Sequence, residues 1–355
     1  MRINKSIKVL FNTSDASFNI YGGTEVQLLN TIKYLGKHSN LEIKLFDKWH
    51  DKLSNFDILH LFGRYPSGCE LAVLAKKKGL KVIMTPIYWS PDSFLLHEKK
   101  YPSSLYYNLK KVTRKIWTLP FDYQKKIMDL SDILIVSSNG EKECIMKDFH
   151  IMDNKFVIVP VGVDKSFLST DPHIFIEKYG FKDFVLFVGN IERRKNVFKL
   201  IQAMKYVKGE LIIIGKGIGN NTYFEMCKQV AGNNVHFLGF FPNNSSILSS
   251  AYAASRLLVL PSWYETPGIV ALEAGLAGTN ILVTSGGCTR EYFGDFVDYI
   301  DPSLSIKRFA QAIKISLNKK NDKKLQEHIL RTYTWEIIKN KLVEIYFRLV
   351  KGKWR

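Results

Sequence analysis

Cysteine is scarce and scattered: Cys69, Cys144, Cys227 and Cys288 are the four in 355 residues, and no two form a Cys-x-x-Cys pair. That excludes a disulfide-stapled scaffold and a zinc ribbon, and it suits thiols kept in a reducing compartment. Long apolar runs are also missing; nothing approaches the roughly 18 residues that a membrane-spanning helix needs. The opening Met1-Arg2-Ile3-Asn4-Lys5-Ser6 leads into a short strand-like run without an apolar signal core or small-residue cleavage site, so no signal peptide is expected. Internal repeats and low-complexity tracts are absent too. Acidic residues are outnumbered, 33 Asp+Glu against 51 Lys+Arg, for a net charge of +18. An anionic partner is therefore expected: nucleic acid, a membrane surface or a phosphorylated small molecule. The excess is local, with eight basic and two acidic residues over 97–126 and fourteen and four over 306–355. A solvated, lysine-rich surface is the plain alternative.

What remains describes a soluble globular chain, 46% hydrophobic and 24% charged. It is too long for one ordinary core and about right for two. Short apolar or β-branched runs alternate with helix-like segments. They fall at 7–11, 41–46, 56–60, 80–85, 132–137 and 156–160, then at 184–188, 211–214, 235–238, 256–260, 280–284 and 298–300. Most are continuous rather than alternating, as strands covered on both faces are. The spacing predicts an α/β protein of two doubly wound, Rossmann-type domains with parallel sheets. The seam is expected near Pro160-Val161-Gly162-Val163-Asp164, giving domains 1–163 and 164–335. A final amphipathic helix follows, with Ile337, Ile338, Leu342, Ile345 and Leu349 at helical spacing. Ligands of such sheets bind beyond the carboxyl ends of the strands, so a cleft between the two domains is the expected site.

Four post-strand loops carry candidate chemistry. After the first strand, Gly22-Gly23-Thr24-Glu25 opens a helix. Two glycines let backbone approach a ligand, Thr24 is a candidate cap, and the first amides attract anions. After 184–188 comes Gly189-Asn190-Ile191-Glu192-Arg193-Arg194-Lys195-Asn196, whose three consecutive cations suit a diphosphate clamp. Gly215-Lys216-Gly217 follows 211–214 and is a weak glycine signal, not a P-loop. The richest stretch runs Ser262-Trp263-Tyr264-Glu265-Thr266-Pro267-Gly268-Ile269-Val270-Ala271-Leu272-Glu273-Ala274-Gly275. Pro267 suits a first helical turn, Gly268 leaves the helix N-terminus open to a phosphate, and the two carboxylates suit sugar and ribose hydroxyls. Each loop also has a structural reading, as a tight turn, an exposed basic loop or capping glutamates.

The Glu265-x7-Glu273 pattern, with Pro-Gly-Ile-Val-Ala-Leu between, resembles the signature of retaining, GT-B-fold glycosyltransferases of family 4. Gly22-Gly23-x-Glu25, Val188-Gly189, Lys195-Asn196, Ile214-Gly215-x-Gly217 and Phe237-Leu238-Gly239 extend the resemblance in order along nearly the whole chain. Gly286-Gly287-Cys288-Thr289-Arg290-Glu291 resembles a subset of that family. The resemblance implies transfer of a sugar from a nucleotide-sugar with net retention, without a metal ion or other cofactor. It implies that Glu273 holds the donor ribose, Glu265 a hydroxyl of the transferred sugar, and Lys195 the diphosphate. The amides after Gly268, including Ile269, and the Gly22-Gly23 loop would close on the phosphates. The first domain would bind the acceptor and the second the donor, with the final helix, about 336–355, packing back on the first. Two positions depart from the pattern. Asn190 stands where arginine is usual, leaving Arg193 or Arg194 to supply the charge, and Thr85-Pro86-Ile87-Tyr88-Trp89-Ser90-Pro91 has no histidine where many members carry one.

His60, expected to end a strand, and Tyr88 and Trp89, expected at another strand end, are acceptor-side candidates together with Glu25; core packing is the alternative for each. Residues 94–128 interleave basic pairs with Leu105, Tyr106, Leu109, Val112, Ile116 and Trp117, which suits either an anionic membrane surface or a helix packed on its own sheet. The resulting expectation is a cytoplasmic enzyme, peripheral on the membrane if that segment binds lipid. It would act on a glycan or lipid-linked acceptor in surface-polysaccharide or glycolipid assembly. A non-catalytic nucleotide-sugar-binding protein and a nucleotide-sugar epimerase are the alternatives. No zinc-finger, helix-turn-helix or RNP-like pattern supports nucleic-acid binding.

Overall fold

A computed structural model describes residues 6–19, 22–90, 123–218 and 222–353. The chain forms two compact units, Met1–Pro160 with Trp335–Arg355, and Val161–Thr334. The first contains β1 (Ile7–Asn12), α1 (Gly23–Leu35), β2 (Leu41–Leu45), β3 (Ile58–Phe62), α2 (Pro66–Lys77), β4 (Lys81–Thr85), α3 (Tyr123–Leu130), β5 (Ile133–Val136), α4 (Asn139–Phe149) and β6 (Phe156–Ile158). Its six strands are all parallel, in the order β2-β1-β3-β4-β5-β6. Alternate residues of one strand serve opposite faces. Val9 and Phe11 of β1 pack on one side, while Leu10 packs on the other among residues of α2, α3 and α4.

The second unit contains α5 (His173–Tyr179), β7 (Phe184–Val188), α6 (Val197–Met204), β8 (Leu211–Ile214), α7 (Thr222–Val230), β9 (Val235–Gly239), α8 (Ser246–Ala254), β10 (Ser255–Leu260), α9 (Ile269–Leu276), β11 (Asn280–Thr284), α10 (Thr289–Phe293), β12 (Asp298–Ile300), α11 (Ile306–Leu317) and α12 (Lys324–Thr332). Its sheet is again all parallel, ordered β12-β11-β10-β7-β8-β9. Every residue of β7, Phe-Val-Leu-Phe-Val, is buried, which is why that strand reads as an unbroken apolar run. Helix α13 (Trp335–Val350) follows Thr334 and belongs to the first unit. It buries Trp335, Ile338, Leu342, Ile345, Tyr346 and Leu349 against α1 and β1, and Trp335 stacks on Tyr34 at 5.5 Å between ring centroids.

The two-sheet α/β architecture agrees with the sequence reading, and three local expectations need correction. Strand β3 starts two residues later than expected, because Leu53–Asn55 form a 3-10 turn that Phe56 closes; His60 therefore sits in the middle of the strand. Thr24 lies inside α1, whose cap is Gly22. Pro267 lies one residue ahead of Gly268, the cap of α9, and not in its first turn. Of the basic segment 94–128, residues 94–122 lie outside the described residues. The part described belongs to α3, which packs on α2 and buries Ile127 and Met128.

Candidate active site

The sheet of the second unit reverses its winding at β7. The chain proceeds from β7 to β8 and β9 on one side, then crosses to β10, β11 and β12 on the other. Loops at the carboxyl ends of β7 and β10 flank that switch point, where open α/β sheets bind their ligands. The loop after β7 rests on the loop after β8. Ile191 N donates to Lys216 O at 2.8 Å, and a Cβ on Gly215 would fall 1.8 Å from Gly189 O, so only glycine permits that approach. Gly217 pairs with Ile191 in an isolated parallel bridge. Gly189, Gly215 and Gly217 are thus used in stacking these loops. Arg193–Lys195 then form a 3-10 turn ended by Asn196, whose side-chain amide donates to Pro261 O and Pro302 O at 3.3 and 3.4 Å.

Held in this way, the turn joins the loop after β10. Trp263 N donates to Arg194 O at 2.9 Å, and the Arg194 guanidinium donates to Tyr264 O at 3.2 Å and to Glu192 at 2.8 Å. Lys195 Nζ lies 2.6 Å from Glu265 Oε1, which also accepts from Ser262 Oγ at 2.5 Å. Glu265 is 4% exposed. Burial pushes its carboxyl upward, but Lys195 and Arg194 outweigh that and hold it below the usual carboxylate range. Burial pulls the Lys195 ammonium down against the attraction of Glu265. Arg194 stays charged because Glu265 and Glu192 oppose its desolvation. Arg193 turns elsewhere, over the Tyr223 ring at 5.4 Å and towards Met226 Sδ at 4.0 Å.

The backbone of Glu265 is fixed by the loop after β11. Glu265 N donates to Gly286 O at 3.2 Å, and Glu265 O accepts from Cys288 N at 3.1 Å. Gly287 has φ +90°, and a Cβ there would sit 2.1 Å from Glu265 O. The Gly286-Gly287 pair is therefore a steric requirement of the site, and its place in the sequence motif was its only advance signal. Gly268, at φ +89°, lies against the Glu265 side chain, and Ile269 begins α9. The first amides of that helix have no acceptor within the helix itself.

Glu273 lies on α9 and is 2% exposed. Asn243 Nδ2 donates to its Oε1 at 2.6 Å and Tyr252 OH to its Oε2 at 2.8 Å. Neither neighbour is charged. Burial therefore dominates and raises the carboxyl to about 7, although both hydrogen bonds pull the other way. Asn243 and Tyr252 escaped the sequence reading. A lone phenol in the small-residue helix Ser-Ser-Ala-Tyr-Ala-Ala was the available signal for Tyr252; Asn243 had none beyond a polar post-strand loop. Asn190 is half-buried, two residues after β7.

The first-unit candidates do not form one constellation. Glu25 reaches back to accept from Gly22 N at 2.8 Å and is committed to the start of α1, the helix that Gly23 begins. His60 is fully buried, its Nδ1 2.7 Å from Tyr346 OH and its Nε2 2.8 Å from Thr85 Oγ1. Burial lowers it to about 3, so the ring is neutral and packed, the alternative weighed for it. Tyr88 is buried as well, donating its N–H to Glu141 at 2.7 Å and its hydroxyl to Asp148 at 2.5 Å. Trp89 is half-buried. Glu141, a residue the sequence did not single out, fixes this loop; burial raises its carboxyl against hydrogen bonds from Ser137 and Tyr88. Among the described residues no group of three or more His, Cys, Asp and Glu is placed to hold a metal ion, and no helix is long and apolar enough to cross a membrane.

Known proteins resemble this arrangement in sequence and in fold. Residues 173–332 match the family described as Glycosyl transferases group 1. An uncharacterized glycosyltransferase of Methanocaldococcus jannaschii is 33% identical over 171 residues, 44% of this chain and 43% of that protein. An O-antigen chain mannosyltransferase B of Escherichia coli is 22% identical over 241 residues, 61% of each chain. The chain thus spans less than two thirds of the length of the curated relatives it matches. In fold it is similar to a sucrose-phosphate synthase from Thermosynechococcus elongatus (TM-score 0.74, 16% identity, 97% of this chain and 100% of that one). It is also similar to the Anabaena protein HepE in complex with UDP-glucose (TM-score 0.72, 15% identity, 96% and 99%). The fold is accordingly the GT-B-like α/β type, and both Lys195 and Glu265 lie within the residues that match glycosyl transferases group 1.

Proposed function

We propose that the protein is a retaining glycosyltransferase of family 4 that moves a sugar from a nucleoside-diphosphate sugar to a glycan or lipid-linked acceptor. The observation that carries this reading is the buried Lys195–Glu265 pair with Arg194 beside it, built where two loops meet at the switch point of the sheet. Leaving-group stabilisation is the central demand of such a transfer. Preorganised cations in a water-poor site meet it better than solvent does, because they need not reorganise as charge develops. Lys195 supplies a point charge and Arg194 a fork for the diphosphate. Arg194 rather than Arg193 replaces the arginine usual at Asn190, since Arg194 donates to Tyr264 O and acts on Glu265 while Arg193 lies over the Tyr223 ring. Glu265 accepts a hydroxyl of the transferred sugar, and Glu273 accepts the ribose hydroxyls in place of Asn243 and Tyr252. No group acts as a covalent nucleophile; the departing phosphate assists attack from the front face, and no metal takes part.

The named relatives support the same direction. One is called an O-antigen chain mannosyltransferase, and one structural neighbour holds UDP-glucose. An acceptor in surface-polysaccharide or glycolipid assembly, reached at the cytoplasmic face of a membrane, is consistent with the +18 charge.

The test is a thermal-shift screen of UDP-, GDP-, ADP- and TDP-sugars against wild type, Glu273→Ala, Arg193→Ala and Arg194→Ala. One donor at about 100 times its dissociation constant should stabilise wild type by roughly 2.7 kcal/mol. Glu273→Ala and Arg194→Ala should lose most of that shift and Arg193→Ala should keep it. Wild type unmoved by every donor would sink the reading. Proton NMR of the anomeric product tests retention, and unchanged turnover in EDTA tests metal independence. Donor binding without transfer or hydrolysis would instead favour the non-catalytic binding protein.

A further inference from the structure

The first unit holds a cavity of about 680 Å³ that the candidate active site does not use. It lies among the loop after β1, the loop after β2 and the first turns of α2, and its walls include Asp15, Phe18, Asp47, Trp49, Glu70 and Leu74. The place is telling. In this sheet the chain leaves β1 for β2 on one side and returns to β3 on the other, so the loop after β1 stands at the switch point, where open α/β sheets bind ligands.

Trp49 is 81% exposed, on a loop that is tightly fixed. Asp47 accepts from Trp49 N at 3.0 Å and from the His50 ring at 2.7 Å, while Asp47 N donates to Asp51 at 2.9 Å and Phe46 N to Phe11 O at 2.8 Å. Lys48 Nζ approaches the indole at 5.4 Å. The loop's own hydrogen bonds hold the indole in place, so an aromatic face lines the cavity without a further ordering cost on binding. Phe18 and Leu74 nearby are 46% and 50% exposed. The charge of the wall also points to a ligand class. Three carboxylates, Asp15, Asp47 and Glu70, face one cation, Lys48, in a chain of net charge +18. An anionic lipid or a nucleic acid would be repelled here, whereas a ring with C–H faces and many hydroxyl donors fits both surfaces.

We propose that this cavity is a subsite for a neutral saccharide of the acceptor, with Trp49 as the stacking platform and Asp15 and Glu70 as acceptors for its hydroxyls. The assignment rests on the transferase reading only for the word acceptor; saccharide binding itself stands on the cavity. Charge-assisted hydrogen bonds to hydroxyls and an aromatic face are the two contacts a pyranose offers simultaneously.

The experiment compares full-length wild type, Trp49→Ala and Glu70→Gln, fluorescently labelled, on a printed array of neutral oligosaccharides, with UDP-glucose thermal shift measured in parallel. Both side chains are exposed, so the variants fold. The expected result is a set of glycans retained by wild type, bound at least tenfold more weakly by Trp49→Ala and at least threefold by Glu70→Gln, with the donor shift of each variant equal to that of wild type. Equal retention by all three proteins overturns the proposal, and so does a wild type that retains no glycan. Loss by Trp49→Ala of sedimentation with phosphatidylglycerol vesicles in place of glycan binding overturns it too, in favour of a membrane contact. Trp49-dependent glycan binding with no response to any nucleotide-sugar would keep the subsite and sink the transferase reading.

Discussion

Replacing Lys195 by methionine removes the ammonium beside Glu265 and leaves a carboxylate that is 4% exposed. Breaking a buried pair from one side typically costs about 3–5 kcal/mol, because the remaining charge stays desolvated. Arg194 still acts on Glu265, and Ser262 still donates to it, so the expected cost is about 3 kcal/mol at neutral pH. For a domain the size of the second unit, that corresponds to a fall of roughly 6–12 °C in melting temperature. Glu265→Gln strands the Lys195 ammonium in the same environment and should cost a similar amount. The double variant leaves neither charge uncompensated, so it should be no less stable than either single one, giving a coupling energy of at least about 3 kcal/mol. Urea denaturation followed by far-ultraviolet circular dichroism and by tryptophan fluorescence measures all four corners. The pH dependence is a second readout. Glu265 titrates lower in the folded chain than in the unfolded one, so the pair stabilises above the ordinary carboxylate value of 4.5 and is lost as pH falls through the folded value. The Lys195→Met deficit should therefore shrink in acid. Single costs that simply add in the double variant, together with a deficit that ignores pH, would refute the claim that these two groups form one electrostatic unit.

Glu273→Gln should abolish a slope of the opposite sign: burial raises Glu273 from 4.5 to about 7, so the folded chain keeps a proton that the unfolded one loses. Wild-type stability should decline from pH 4.5 to 7 by up to roughly 3 kcal/mol from this group, and melting curves of Glu273→Gln should lack that decline. Gly287→Ala puts a Cβ 2.1 Å from Glu265 O at a positive φ, so donor-induced thermal shift should fall at least tenfold in apparent affinity while the circular-dichroism spectrum stays folded. Tyr346→Phe removes the hydroxyl partner of His60 Nδ1 and should cost about 1–3 kcal/mol in urea without changing the donor shift, because both residues lie in the first unit.

Much of the fold was legible because its strands are covered on both faces. β7, β8 and β11 were placed to the residue, since charged, small or glycine residues bracket each apolar run. β3 slipped because Phe56 and Asp57 look like strand residues, whereas Phe56 closes a 3-10 turn and Asp57 is used at the strand's edge, its carboxylate accepting from Lys8 N at 2.8 Å. α1 misled in a different way. Thr24 is the better cap by side-chain chemistry, but Glu25 closes on Gly22 N and starts the helix earlier. His60 shows the limit of reading a polar residue in an apolar run. Its partners, Thr85 and Tyr346, lie 25 and 286 residues away, and only the packing of α13 on this unit reveals that both ring nitrogens are satisfied.

The two glutamates carry that limit into the candidate site. Sequence spacing makes Glu265 and Glu273 look like a matched pair, eight residues apart across one loop and helix start. Physically they are opposites. Glu265 meets Lys195 and feels Arg194, residues 70 and 71 positions earlier in the chain, and is held ionised. Among the described residues Glu273 meets the neutral donors Asn243 and Tyr252, and burial raises its carboxyl to about 7. Environment assigns separate tasks to chemically identical groups, as it does wherever paired carboxylates divide acid and base work. In the proposed reaction a diphosphate arriving at Lys195 and Arg194 would compete with Glu265 for both cations, and that carboxylate would need new hydrogen bonds at the moment its counter-ions are drawn away. A sugar attached to the same diphosphate delivers hydroxyl donors to that very place. The pair is thus suited to hold donor and sugar together and poorly suited to hold a bare phosphate, which offers Glu265 nothing in exchange.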